Sequence, residues 1–136
     1  MLKARPAKEV ALRLPNEIGA LNGIAKTLAD KGINILAVSA WVEGDEAVVR
    51  LLTDEAARVV DALKAQHDGV REVDVVIAEV PHKPGMLRRI TDTLAQNDID
   101  IHHLYATSGA TQDQCLVVFG TAHNDRALVR LNAGER

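Results

Sequence analysis

PNEIGALNGIAKTLADKGINILAVSA, residues 15–40, recurs sixty-six positions later as PHKPGMLRRITDTLAQNDIDIHHLYA, residues 81–106, and this repetition decides the fold. The copies share Pro15/Pro81, Gly19/Gly85, Leu21/Leu87, Ile24/Ile90, Thr27/Thr93, Leu28/Leu94, Ala29/Ala95, Ile33/Ile99, Ile35/Ile101 and Ala40/Ala106. Those positions serve a turn, a helix and a strand, so the repeated unit is supersecondary. Pro15 removes a backbone donor, and Asn16-Glu17-Ile18-Gly19 turns the chain sharply, with Asn16 free to cap a neighbouring amide. Leu21, Ile24, Ala25 and Leu28 then recur at helical spacing, with Asn22, Lys26 and Asp30 opposite, and Gly32 supplies the left-handed residue that closes the helix.

Working outward, residues 9–14 put Val10, Leu12 and Leu14 on one side and Ala11 and Arg13 on the other, the period of a strand. Residues 33–41 and 47–52 read as two further strands joined by Glu43-Gly44-Asp45, a hairpin signal. Thr53-Asp54 opens a second helix with the stripe Ala56, Val59, Val60 and Leu63, Asp68-Gly69 ends it, and residues 70–80 are strongly β-forming. The second pass repeats the order: a helix with Leu87, Ile90 and Leu94, a strand over 99–105, a longer hairpin loop over 107–112, and a strand over 115–119. Asn124 or Asp125 is expected to cap a last helix carrying Ala127, Leu128 and Leu131. That helix runs to about Asn132, leaving no room for a fourth strand, while residues 70–80 have to serve both copies. The expected fold class is therefore α+β: two ferredoxin-like βαββαβ repeats with antiparallel sheets, at 1–72 and 73–136, joined through a shared or continuous strand, the second lacking its own last strand.

The strands lack a polar row. Leu36, Val38 and Ala40 alternate with Ile35, Ala37 and Ser39, and Val48/Val49, Val75/Val76 and Val117/Val118 behave likewise, so both sheet faces are expected to be covered, the second by another copy of the chain. This predicts a homodimer or larger. The composition excludes several functions. Aromatic residues are 2% of the chain, too few for base-stacking platforms, and with a net charge of -3 the lysines and arginines form no basic stripe, so nucleic acid is not an expected partner. A single cysteine forms no internal disulfide, no charged segment followed by an apolar run opens the chain, and no apolar run approaches a membrane span. A cytoplasmic location is expected.

The candidate chemistry lies at the two turns. Backbone amides at Gly19 to Leu21, and at Gly85 to Leu87, are the unpaired donors of a helix N-terminus behind a glycine, a place for a carboxylate. Asn16 stands beside the first, and Asn34 adds polarity where a strand begins. His102 and His103 are adjacent on a strand and so face opposite ways, which argues against a metal site, and no cofactor is expected. Cys115 sits in an apolar strand with no His or Asp that the sequence places beside it, the pattern of a small core residue. Asp98 and Asp100, read as same-face strand neighbours, suit solvent or a ligand rather than acid-base catalysis.

With βαββαβ order, an N-x-x-G turn after the first strand and Ile33-Asn34-Ile35 at the start of the second, the chain resembles the ACT domain family, and in full a small protein of two tandem ACT repeats. The resemblance implies a regulatory module binding a free amino acid where the first turn of one repeat meets the second strand of its neighbour. It carries ligand contact over to Asn16, Gly19, Ala20 and Asn34 in the first copy and to His82, Gly85, Met86 and Asp100 in the second. Ile18 stands where many members have proline, and the second copy keeps Pro84-Gly85 but replaces both asparagines. Sites formed across the repeats would combine Asn16 and Gly19 with Asp100, and His82 and Gly85 with Asn34. No catalytic constellation is visible. A regulatory subunit docked on an amino-acid biosynthetic enzyme is the alternative reading.

Overall fold

Apolar alternation and helical stripes convert into ten elements in the computed structural model, which describes residues 2–108 and 113–133. In order they are β1 (Lys3–Pro15), α1 (Ala20–Asp30), β2 (Ala37–Glu43), β3 (Glu46–Leu52), α2 (Ala56–Lys64), β4 (Arg71–Pro81), α3 (Met86–Gln96), β5 (Ile101–Ser108), β6 (Gln114–Thr121) and α4 (Asn124–Ala133). Most of the second hairpin loop expected over 107–112 lies outside the described residues.

The elements form two compact units, one of residues 8–73 and the other joining the residues up to Ala7 to those from Asp74 onward. Strand neighbours run β2-β3-β1-β4 in the first unit and β1-β4-β6-β5 in the second. Within the first, β1 pairs antiparallel with β3, and β3 with β2; within the second, β4 pairs antiparallel with β6, and β6 with β5. β4 runs unbroken from Arg71 to Pro81 and contributes to both units. No strand follows α4 among the described residues; the fourth strand position of the second unit is taken by the first residues of β1. Asn132 on α4 clasps that segment, accepting from the Ala4 amide at 3.0 Å and donating to its carbonyl at 3.1 Å.

Each unit buries its own apolar core, and the two cores correspond residue by residue. Val10, Leu12, Leu14, Ile24, Leu28, Ile33, Val49, Leu51, Val59 and Leu63 fill the first. Val76, Ala78, Val80, Ile90, Leu94, Ile99, Val117, Phe119, Ala127 and Leu131 fill the second, at the repeat-related positions, together with Leu2 from the N-terminal segment. A fully buried side chain of this class contributes about 1.5–3 kcal/mol, which explains why these positions carry the repeat.

Helix ends are also copied. After α1, Gly32 at φ 69° lets its own amide reach Ala29 and that of Ile33 reach Leu28. After α3, Asp98 at φ 55° holds the matching bonds, Asp98 to Ala95 and Ile99 to Leu94. This is a Schellman ending in which the following isoleucine seals the helix against the core. Asp98 is therefore a helix-end residue and not the strand neighbour of Asp100. Thr53 and Thr121 make equivalent turns before α2 and α4, their hydroxyls accepting from the amides of Glu55 and His123 at 3.1 and 2.9 Å. The expected cap from Asn124 is replaced by this turn, because Asn124 Oδ1 accepts from the Thr121 amide and hydroxyl instead.

The second sheet face differs from expectation in its cause. Ala11, Val48, Leu52, Val75, Ile77 and Val118 are at most 6% exposed in a single chain. Their apolar pattern is satisfied without a second copy. On the same face Glu9, fully buried, accepts from Arg50 Nη1 at 3.1 Å, a pair the second copy replaces with Val75 and Val118. A buried pair of this kind offsets its desolvation only while both partners remain.

Candidate functional site: the turns before α1 and α3

Gly19 adopts φ 89° and Gly85 φ 91°, the left-handed region that L side chains avoid, and nothing lies within 4 Å of a Cβ built on either. Conformation, not space, requires glycine at both turns. The expected row of free amides is shorter than the sequence suggests. Ala20 N–H donates to the Glu17 carbonyl at 3.1 Å, whereas the amides of Leu21 and Asn22 have no acceptor among the described residues. In the second turn Arg89 N–H returns to Gly85 at 3.0 Å, as Gly23 N–H does to Gly19 at 2.9 Å, but the Met86 amide lacks the bond that Ala20 makes, so the Met86, Leu87 and Arg88 amides all have no acceptor among the described residues. The first turn thus ends in two free amide donors and the second in three, each set at the positive end of a helix.

The first turn borders a cavity of about 410 Å³ lined by Asn16, Glu17, Gly19, Ala20, Leu21 and Asn22 on one side and Ala40, Trp41, Val42, Ala47 and Val49 on the other. Ala40 lies opposite Val49 and Val42 opposite Ala47 in the ladder, so these residues share the face that carries the core. That face is left uncovered at its β2 edge: Val38 and Val42 are 47% and 55% exposed, and Ile18 on the turn is fully exposed. Trp41 Nε1 donates to Glu43 Oε2 at 2.7 Å, and Glu43 also meets Arg13 Nη2 at 3.0 Å. The hydrogen bond from Trp41, then that from Arg13, holds the Glu43 carboxyl below the usual carboxylate range, and Glu43 in turn pushes the Arg13 guanidinium up. The arrangement offers amide donors and the Asn16 amide group to a carboxylate, and an apolar wall to a side chain.

The predicted residues divide into two sets in each unit. The Asn16 amide donates to Asp45 O, which places it at the hairpin end of the sheet, while Asn34 O accepts from Thr53 Oγ1 at the opposite end of the β2–β3 ladder. Seven strand residues separate them, roughly 20 Å. His82, whose amide donates to Asp113 O, and Asp100, ahead of Ile101 which pairs with Thr121, are likewise at opposite ends of their ladder. Ala20 and Met86 both start helices, but Met86 buries its side chain in the second core, so its backbone alone faces the turn. Asp100 is exposed, with Oδ2 3.6 Å from His102 Nε2.

Two functional candidates escaped sequence reasoning. Trp41 lines the first cavity, and its placement at the end of β2 nearest the turn was the available signal. His82 Nδ1 lies 2.8 Å from Cys115 Sγ, so the cysteine does have a histidine beside it. The repeat alignment held that signal, since Cys115 occupies the position of cavity-lining Ala47 and His82 that of Asn16. A register irregularity falls between Ile101 and His103; His102 is exposed beside Asp100, while the His103 ring is half-buried 5.5 Å from that of Tyr105. Among the described residues no three His, Cys, Asp or Glu side chains gather as metal ligands, and no helix is long and apolar enough to cross a membrane.

Residues 8–68 match the family model described as the ACT domain. A crystal structure of a protein from Bacteroides thetaiotaomicron superposes with a TM-score of 0.88 at 26% identity, covering 97% of this chain and 90% of that one. The ligand-free regulatory subunit of aspartate kinase from Thermus thermophilus gives 0.67 at 14% identity over 96% and 93% of the two chains. Its counterpart from Thermus flavus gives 0.60 at 14% identity over 100% and 96%. At such identity the likeness to the kinase subunits is one of fold. No curated protein sequence matches the chain.

Proposed function

Starting from residues 8–68 as an ACT domain, we propose that the chain is a tandem-ACT regulatory protein of the cytoplasm, the residues from 73 onward forming the second repeat, and that it binds a free amino acid between repeats. The observation that carries this reading is the first turn: two outward amides behind a left-handed glycine, beside Asn16, opening on an uncovered apolar wall. The amides and Asn16 hold the carboxylate, the wall takes the side chain, and the ammonium requires an acid besides Glu17, which lines the same cavity from the turn. Asp100 is that acid in our reading, brought by the other repeat of the same chain or of a second copy. The reciprocal combination, His82 and Gly85 with Asn34, lacks a carboxylate and is the weaker site.

A ligand held by two repeats favours the arrangement in which they meet, and it regulates by its differential affinity for that arrangement. The exposed Val38 and Val42 on the β2 edge support a homodimer. A second reading, a non-catalytic subunit docked on an amino-acid biosynthetic enzyme, is favoured by the shared fold of the aspartate kinase regulatory subunits. Thermal unfolding with each common amino acid at millimolar concentration tests the proposal. A ligand at a hundred times its Kd adds about 2.7 kcal/mol. That gain should vanish in Asn16→Ala and in Asp100→Ala and persist in His82→Ala; equal loss in all three removes the asymmetric site.

A further inference from the structure

The second turn carries a nucleophile and a base that the first turn lacks. Cys115 is half-buried against the second core, and His82 is exposed at the turn, so the sulfur sits between packed side chains and solvent. Their approach is built into the ladder: Val80 pairs with Cys115 and Pro81 with Gln114, and the His82 amide is tied to Asp113 O at 2.8 Å. His82 Nδ1 thereby stands 2.8 Å from Sγ, within reach for proton transfer. In the first copy the same two positions are Asn16 and Ala47, which supply neither group. From this geometry we propose that His82 and Cys115 form a hydroperoxide-sensitive thiol site that makes the second turn, and not the first, responsive to oxidation.

In the reaction Sγ attacks one peroxide oxygen and the O–O bond breaks. His82 Nδ1 accepts the thiol proton and passes it to the departing hydroxide, giving a sulfenic acid and water. Sulfur is oxidised by two electrons and the peroxide reduced by two. The added oxygen occupies the contact between Sγ and Nδ1 and releases His82 into the turn. Only this consequence for ligand binding rests on the proposed function; the thiol chemistry is measured without any amino acid present and stands or falls separately.

Cys115 is the one cysteine of the chain, so labelling has no background. The full chain is treated with hydrogen peroxide, sulfenic acid is trapped with dimedone, and the rate is read by intact mass; iodoacetamide alkylation gives a second rate. Both rates should fall roughly tenfold or more in His82→Ala and His82→Asn, and added imidazole should restore part of the loss in His82→Ala. Native wild-type protein should also react faster than the same protein unfolded in urea at equal pH. Rates within twofold of wild type in both variants, or a native thiol slower than the unfolded one, would overturn the proposal.

Discussion

Glu43 shows how one residue can tie two strands together, β2 through Trp41 and β1 through Arg13. Trp41 and Arg13 hold its carboxyl below the usual range, so whatever it contributes to the folded state is present above the unfolded carboxylate value and disappears as pH falls through the lower folded value. Trp41 is the only tryptophan and donates directly to Glu43. Its emission should therefore change on acidification with a midpoint below the usual carboxylate range, and Glu43→Gln should abolish that step. A step within or above that range contradicts the contact. At this scale the sequence disclosed the glycines and Asn16, because turn chemistry is local. Trp41 beside Glu43, and Cys115 beside His82, depend on hairpin register, which spacing alone does not determine.

Among the elements, the repeat made the helices legible from their stripes. It misplaced the strand starts. Ile33 closes the ending of α1 as its buried seal, so β2 begins at Ala37. β1 begins at Lys3 because its first residues, Lys3 to Ala7, carry little apolar alternation and are held by tertiary contacts such as the Asn132 clasp. Two left-handed positions give a paired prediction. Gly19→Ala forces a Cβ into the left-handed region and should cost about 1–2 kcal/mol in urea unfolding. Asp98→Gly relieves the same kind of strain at φ 55° and should add up to about 1 kcal/mol. A neutral Gly19→Ala would show that the turn relaxes and does not require glycine.

In the molecule as a whole, the second unit depends on the start of the chain. Leu2 is 3% exposed in its core and Asn132 clasps Ala4. Leu2→Ala should cost about 2–4 kcal/mol, and hydrogen exchange should show faster opening of α4 and β6 than of α1 and α2. Uniform acceleration, or none, contradicts that assignment. The sequence predicted no strand after the last helix; it did not reveal that residues 3–7 join the second unit, because Lys3-Ala4-Arg5-Pro6-Ala7 offers only small apolar residues to mark a strand. Nor did it show that Ala11, Val48, Val75 and Val118 are buried in a single chain, since apolar alternation reports burial but not its cause. The regulatory reading rests on the first turn and its wall, and Trp41 reports on both. Titration of the full chain with each common free amino acid, followed by Trp41 emission, is its most direct measurement. The account predicts a saturable change with at least one amino acid that is lost in Asn16→Ala. No change with any of them up to millimolar concentration would contradict it.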